Sequence, residues 1–211
     1  MSVLAKGAKR SPIAIIVLLL AGLALIWGGA QLLLLNGSAY YLISGFALVA
    51  AAYFFLMSQE QSWAPAPLDP PGLVAGTLFT VILLLSEIPN TLVKRAAHNQ
   101  ELGAVRRLLP LMVAVGGVLL VIRGFEFNSL HVLWYSNAYG SILWALLLLH
   151  TLHVGTDWVD TIVLWALMRT PHGETPRRFV DTDENALYWR FVWLSWLPIY
   201  ALIYIVPRLF R

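Results

Sequence analysis

His150, His153, Asp157 and Asp160 stand at offsets of 3, 7 and 10 within one apolar stretch, residues 137–168. On an α-helix those spacings put all four side chains on one face. Two imidazoles one turn apart can share a metal, or each can ligate a haem offered by a facing helix. Carboxylates a turn further on can relay protons or hold a cation. The competing readings are structural: histidines that hydrogen-bond across a helix interface, and aspartates that mark the membrane edge. A charged group inside a membrane segment costs roughly 2.5–3.5 kcal/mol, so this face has to turn toward protein or a polar cavity. A haem held within the chain needs another embedded histidine on a facing helix, and His98, His131 and His172 all fall in connecting segments. That census favours interhelical hydrogen bonding at His150 and His153 over ligation.

Other acidic residues in apolar surroundings are Glu87, Glu126 and, at the start of the last apolar segment, Glu184. Glu126 follows Arg123 by three residues, the spacing of a neutralising pair on one helix. Glu87 lies deeper in its segment and is a candidate to meet His150 or His153 across a bundle. Several catalytic patterns are missing: GxSxG, HExxH and a phosphate-cradling glycine loop. Without cysteine there is no thiolate metal site and no iron–sulfur cluster.

The elements that must carry these residues follow from composition. Of 211 residues, 59% are hydrophobic and 12% charged, with mean hydropathy +0.74, far from the roughly one-quarter charged content of soluble domains. The chain reads as an all-α, polytopic membrane helix bundle. A span takes ~20 apolar residues, and about six candidates emerge, near residues 12–35, 40–57, 73–93, 108–127, 137–168 and 186–206. The stretch after Lys6, Lys9 and Arg10 is too long for a signal peptide and reads as a retained first helix. The net charge of +3 reflects basic residues beside apolar spans, a matter of membrane orientation rather than of nucleic-acid binding. They divide seven against six between the two sides, which leaves orientation undecided.

The expected organisation is an N-terminal two-helix hairpin over residues 1–57, a proline-rich loop over 58–72, and a four-helix membrane domain over 73–211. Pro65, Pro67, Pro70 and Pro71 forbid helix in the loop. Pro89 is expected to kink the third span. Residues 94–107 read as a charged loop or surface helix, and 169–185 as a polar loop. The 32 residues of 137–168 would extend ~48 Å as one helix, more than the ~30 Å hydrocarbon core. Tilt, protrusion or a bend is required, and Gly155 is the expected bend.

Three pieces of the C-terminal part resemble subunit III of haem–copper oxidases, the cytochrome c oxidase subunit III family. They are GFEF at 124–127, YGSILWALLLLHTLHVGTDW at 139–158, and ENALYWRFVWLSWLPIYALIY at 184–204. Tyr139, Gly140, Ser141, His150, His153, Val154 and Gly155 fall in register with that family's YGS…HG.HV.G helix. Tyr188, Trp189, Phe191, Val192 and Trp196 match its final aromatic block. Departures are Thr151 where the family has glycine, Arg190 at its histidine, and Trp193 at its aspartate. The family's deep glutamate on an earlier helix has no counterpart in residues 40–57. Residues 28–56 are similar, more weakly, to the membrane hairpin of quinoprotein glucose dehydrogenases.

The resemblance implies a non-redox accessory subunit of a respiratory terminal oxidase that reduces oxygen and pumps protons. The chain itself would not be catalytic and would hold no cofactor, with haem and copper in the catalytic partner subunit. It would pack on that subunit and other oxidase subunits, bind phospholipids and sit in a bacterial cytoplasmic membrane, with residues 94–107 and 169–185 on the cytoplasmic side. Glu87, Glu126, His150, His153 and Glu184 then become interhelical, partner or lipid contacts. Asp157 and Asp160 stay open between proton exchange and membrane-edge roles. Two alternatives from other classes are a membrane cytochrome b or quinol-reactive subunit using His150 and His153 as haem ligands, and an accessory subunit of a nitric oxide reductase.

Overall fold

A computed structural model describes residues 40–59 and 68–209, with side chains from Ala47 onward in the first segment. The first expected span, residues 12–35, and residues 28–39 of the hairpin compared with glucose dehydrogenases lie outside the described residues. The chain divides at Gln59 and Glu60 into two units. In the first, helix α1 spans Tyr40–Met57. Val49, Ala52, Tyr53 and Leu56 are its buried face and Phe54 and Phe55 its exposed one, the 3–4 residue recurrence of an amphipathic helix.

The second unit is a helix bundle. Its elements are α2 (Leu73–Leu85), α3 (Glu87–His98), α4 (Leu102–Asn128), α5 (Ala138–Met168), a 3₁₀ segment (Pro171–Glu174) and α6 (Pro176–Tyr200). Helix α6 continues through a π turn (Ala201–Ile205) into α7 (Val206–Leu209). No strand occurs among the described residues. Four stretches are long and apolar enough to cross a membrane: Leu73–His98, Leu102–Asn128, Ala138–Met168 and Pro176–Leu209. Short connections make them antiparallel neighbours. Helix α4 packs on α2, α3 and α5, while α6 closes the bundle against α3 and α5.

Near the expected kink the helix is interrupted at Ser86, ahead of Pro89. A proline cannot donate to the carbonyl four residues back, and its ring crowds that carbonyl; for Pro89 that is Leu85, the last residue of α2. Ser86 fills the break, donating to the Leu83 carbonyl (2.6 Å) and accepting from Trp189 Nε1 (2.8 Å). One end of the bundle is tied by two bonds to backbone carbonyls. Gly72 N–H donates to the Ser129 carbonyl (3.0 Å) and Arg208 Nη2 to that of Pro71 (2.6 Å). Asn137 caps α5, its side chain accepting from Gly140 N–H at 2.7 Å, which satisfies one of the donors every helix start leaves open.

Two expectations are corrected. Helix α5 is continuous through Gly155, so its extra length is not taken up by a break there; the helix runs on past the apolar window. Residues 169–185 are not a loop, because α6 starts at Pro176. Proline is suited to a first helical turn, and the polar turns of α6 lie against the far end of α5. Residues 94–107 are likewise helical except for the turn at Asn99–Glu101, where Gln100 takes a left-handed backbone (φ 56°).

Candidate functional site

The buried polar residues gather in three clusters, each across a seam involving α6. The first joins four helices. Arg123 and Glu126 on α4 are 1% and 0% exposed and form an ion pair at 2.7 Å. Burying such a pair is costly unless its remaining donors and acceptors are also met. Here most of them are. Arg123 Nη2 lies 2.8 Å from His150 Nδ1, and Tyr204 Oη donates to Glu126 Oε1 at 2.5 Å. The guanidinium also lies over the rings of Phe79 (3.6 Å) and Trp196 (4.3 Å), a favourable placement for a desolvated cation. Trp196 in turn donates to Thr80 Oγ1 at 2.8 Å.

This geometry fixes the state of His150. Arginine can only donate, so Nδ1 accepts and Nε2 carries the proton, which it donates to the Val192 carbonyl at 3.0 Å. Both ring nitrogens are engaged. His150 could bind a metal or haem only by giving up Arg123, and would then leave a buried guanidinium short of an acceptor. His153 points to a different neighbour: its Nδ1 is 2.8 Å from Tyr188 Oη and its ring packs edge-on against Phe191 at 5.6 Å. The two histidines therefore do not converge on a common space. Among the described residues, no group of three or more His, Asp or Glu side chains could hold a metal ion.

The second cluster centres on Glu87, at the start of α3. Its carboxylate accepts from Arg190 (2.5 and 2.9 Å), Trp193 Nε1 (3.1 Å), Asn90 Nδ2 (3.0 Å) and Thr91 (3.2 Å). Glu87 thus pairs with α6 and bonds neither His150 nor His153, correcting the expected contact. The two residues that depart from the family's final-helix motif, Arg190 and Trp193, are the ones that reach it. Asn90 also donates to the Ala186 carbonyl at 2.9 Å, which pins α3 to α6.

The third cluster is formed by Asp157, Thr161 and Asn185. Asp157 is 1% exposed, and its Oδ1 accepts from Asn185 Nδ2 at 3.1 Å. Thr161 lies 3.2 Å from Asn185 Oδ1 and also donates to the Asp157 carbonyl (2.8 Å). Asp160 is exposed, so the four-residue stripe of α5 divides: His150, His153 and Asp157 face inward and Asp160 does not. At 100° per residue Asp160 lies at the edge of that face. Glu184 is also exposed and joins none of the clusters.

The sequence reading missed the reach of Arg123 to His150 and of Arg190 to Glu87. The available signal was the arginines themselves, since each lies in a span and a buried cation demands an acceptor.

Residues that resemble the YGS motif build the entry to α5. Ser141 Oγ donates to the Trp134 carbonyl at 2.6 Å, and Gly140 packs so closely on Leu133 and Val132 that a Cβ would overlap them. The chain is 27% identical over 166 residues to a probable cytochrome c oxidase subunit 3 of Nocardia farcinica, a match covering 76% of this chain and 80% of that protein. It is 24% identical over 156 residues to cytochrome c oxidase subunit 3 of Synechocystis sp. (74% of this chain, 66% of the relative). A third match, to subunit 3 of Corynebacterium diphtheriae, is 26% identical over 133 residues and covers 61% of this chain and 64% of the relative. No family model matches.

Proposed function

We propose that this chain, a relative of the haem–copper oxidase subunit III family, is the accessory membrane subunit of a respiratory terminal oxidase. The similarity to three subunit 3 proteins over most of the chain carries that reading. The geometry supports a scaffold. Buried polar groups bond one another across helix seams, and His150 has no ring nitrogen left for a ligand. The outward surface is apolar: Leu148, Leu152, Val159 and Val163 form an exposed stripe along α5. In the windows of Leu73–His98 and Leu102–Asn128 only 28% of residues are buried. Such faces fit lipid or the helices of a partner subunit.

On this reading haem and copper belong to the catalytic partner, the apolar faces take phospholipid and that partner, and the assembly resides in a bacterial cytoplasmic membrane. Glu87, Glu126, His150 and His153 hold the bundle in shape. A tagged chain purified from native membranes in a mild detergent tests this. Co-purification of a haem–copper subunit, seen in the reduced-minus-oxidised spectrum and by mass spectrometry, is the expected result. Recovery of the chain free of any oxidase subunit contradicts it.

A further inference from the structure

The buried carboxylates of the bundle are not treated alike. Glu126 has Arg123 at 2.7 Å and Glu87 has Arg190 at 2.5 Å. Asp157 is as buried as Glu126, yet among the described residues no basic side chain pairs with it. Its carboxylate accepts from the Asn185 amide, and its Oδ2 is buried with no hydrogen-bond partner. Among the described residues the surroundings supply no hidden cation. On α5 itself the nearest titratable groups are His153 and Asp160. On α6 they are Tyr188 and, in its polar first turns, Asp183, Glu184 and Asp181, the last bridged to Arg178 at 2.7 Å. Across the seam, α4 has no titratable side chain between Arg107 and Arg123. The 3₁₀ segment carries His172 and Glu174 and packs at the far end of α5, with Gly173 against Met168.

An ionised carboxylate in such a place lacks compensation. The missing positive charge has to come from solution. A hard metal cation takes six or more oxygen ligands, and Asp157, Asn185 and Thr161 offer too few. A proton needs only the one open oxygen. Asp160, three residues on and exposed, lies ~5–6 Å away along the helix face, on the side of Asp157 that leads to residues 169–175.

We propose that Asp157 is a proton-exchanging carboxyl: its Oδ2 takes one proton from, and returns it to, the aqueous side of residues 169–175 by way of Asp160. The step is a plain acid–base exchange, with a proton leaving hydronium or the Asp160 carboxyl and forming an O–H bond at Asp157, and needs no other reactant. It does not depend on which complex the chain joins.

Infrared spectroscopy of the full-length chain in lipid nanodiscs near neutral pH tests it. The expected spectrum contains a protonated-carboxyl C=O band. The band shifts when aspartate is ¹³C-labelled, moves down in D₂O, and is lost in Asp157→Asn. Asp160→Asn keeps the band but slows its hydrogen–deuterium exchange. The labelling is read on the unaltered chain, so the test stands even where Asp157→Asn does not fold. Absence of an aspartate-sensitive band overturns the proposal, as does a band that survives Asp157→Asn or never exchanges in D₂O. An exchange rate unchanged by Asp160→Asn overturns the route through Asp160.

Discussion

Replacing Glu126 by glutamine removes one charge from the best-connected part of the bundle and leaves its shape. The Arg123 guanidinium, 1% exposed, then sits between Phe79 and Trp196 with no counter-charge. Breaking a buried pair by removing one partner typically costs about 3–5 kcal/mol. That is roughly a 10²–10⁴-fold shift in the folding equilibrium. Arg123→Met should cost a similar amount, because it strands the carboxylate and leaves His150 Nδ1 without a donor. Arg123→Met with Glu126→Gln removes both charges; the glutamine oxygen still accepts from Tyr204 Oη, and the unmet hydrogen bond at His150 remains, about 1–3 kcal/mol for a stranded buried polar group. The double variant should therefore be more stable than either single one. The assay is equilibrium unfolding of the full-length chain in dodecyl maltoside micelles titrated with SDS, followed by circular dichroism and tryptophan fluorescence. If each single change costs under about 1 kcal/mol and the two add to within ~0.5 kcal/mol, as independent sites do, the four-helix cluster does not hold the bundle and the reasoning fails.

Three further outcomes follow from the packing. Arg190→Met should cost less than Arg123→Met in the same titration, because the Arg190 and Glu87 side chains are 38% and 22% exposed and Glu87 keeps its donors Asn90, Thr91 and Trp193. Asp157→Asn, which replaces a carboxyl that no arginine balances among the described residues, should be milder than Glu126→Gln; equal losses would show that Asp157 has a cationic partner. Gly116→Val should loosen the α4–α5 seam by about 1–3 kcal/mol, since a Cβ there would overlap the Trp158 ring. The emission shift of the tryptophans and a lowered SDS midpoint would report it, and an unchanged midpoint would refute the close approach.

Much of this arrangement can be read from the sequence because membrane helices leave few options for backbone groups. The span at residues 40–57 matches α1 (Tyr40–Met57), and Asn137 caps the helix whose stripe draws attention first. Periodicity places His150, His153 and Asp157 on the buried side of α5. What could not be read is which side chains meet across seams. Spacing within one helix reveals Arg123 with Glu126, but Arg190 and Glu87 are 103 residues apart and only the tertiary packing joins them. The charged run at 176–185 reads as loop because polar residues suit both a loop and a helix that leaves the apolar zone. Thr175-Pro176 was the overlooked start signal. At Gly155 the length argument was sound, but glycine permits a bend without requiring one, and the helix solves its excess length by running on.

We propose that the chain is a cofactor-free partner of a haem–copper oxidase whose histidines serve packing. The most direct measurement is the reduced-minus-oxidised spectrum of the tagged chain, taken first in its native-membrane complex and then alone in detergent. The account predicts oxidase haem bands in the complex, none from the isolated chain, and no change in the complex's haem content with His153→Ala. A haem band in the isolated chain that disappears with His153→Ala would contradict it.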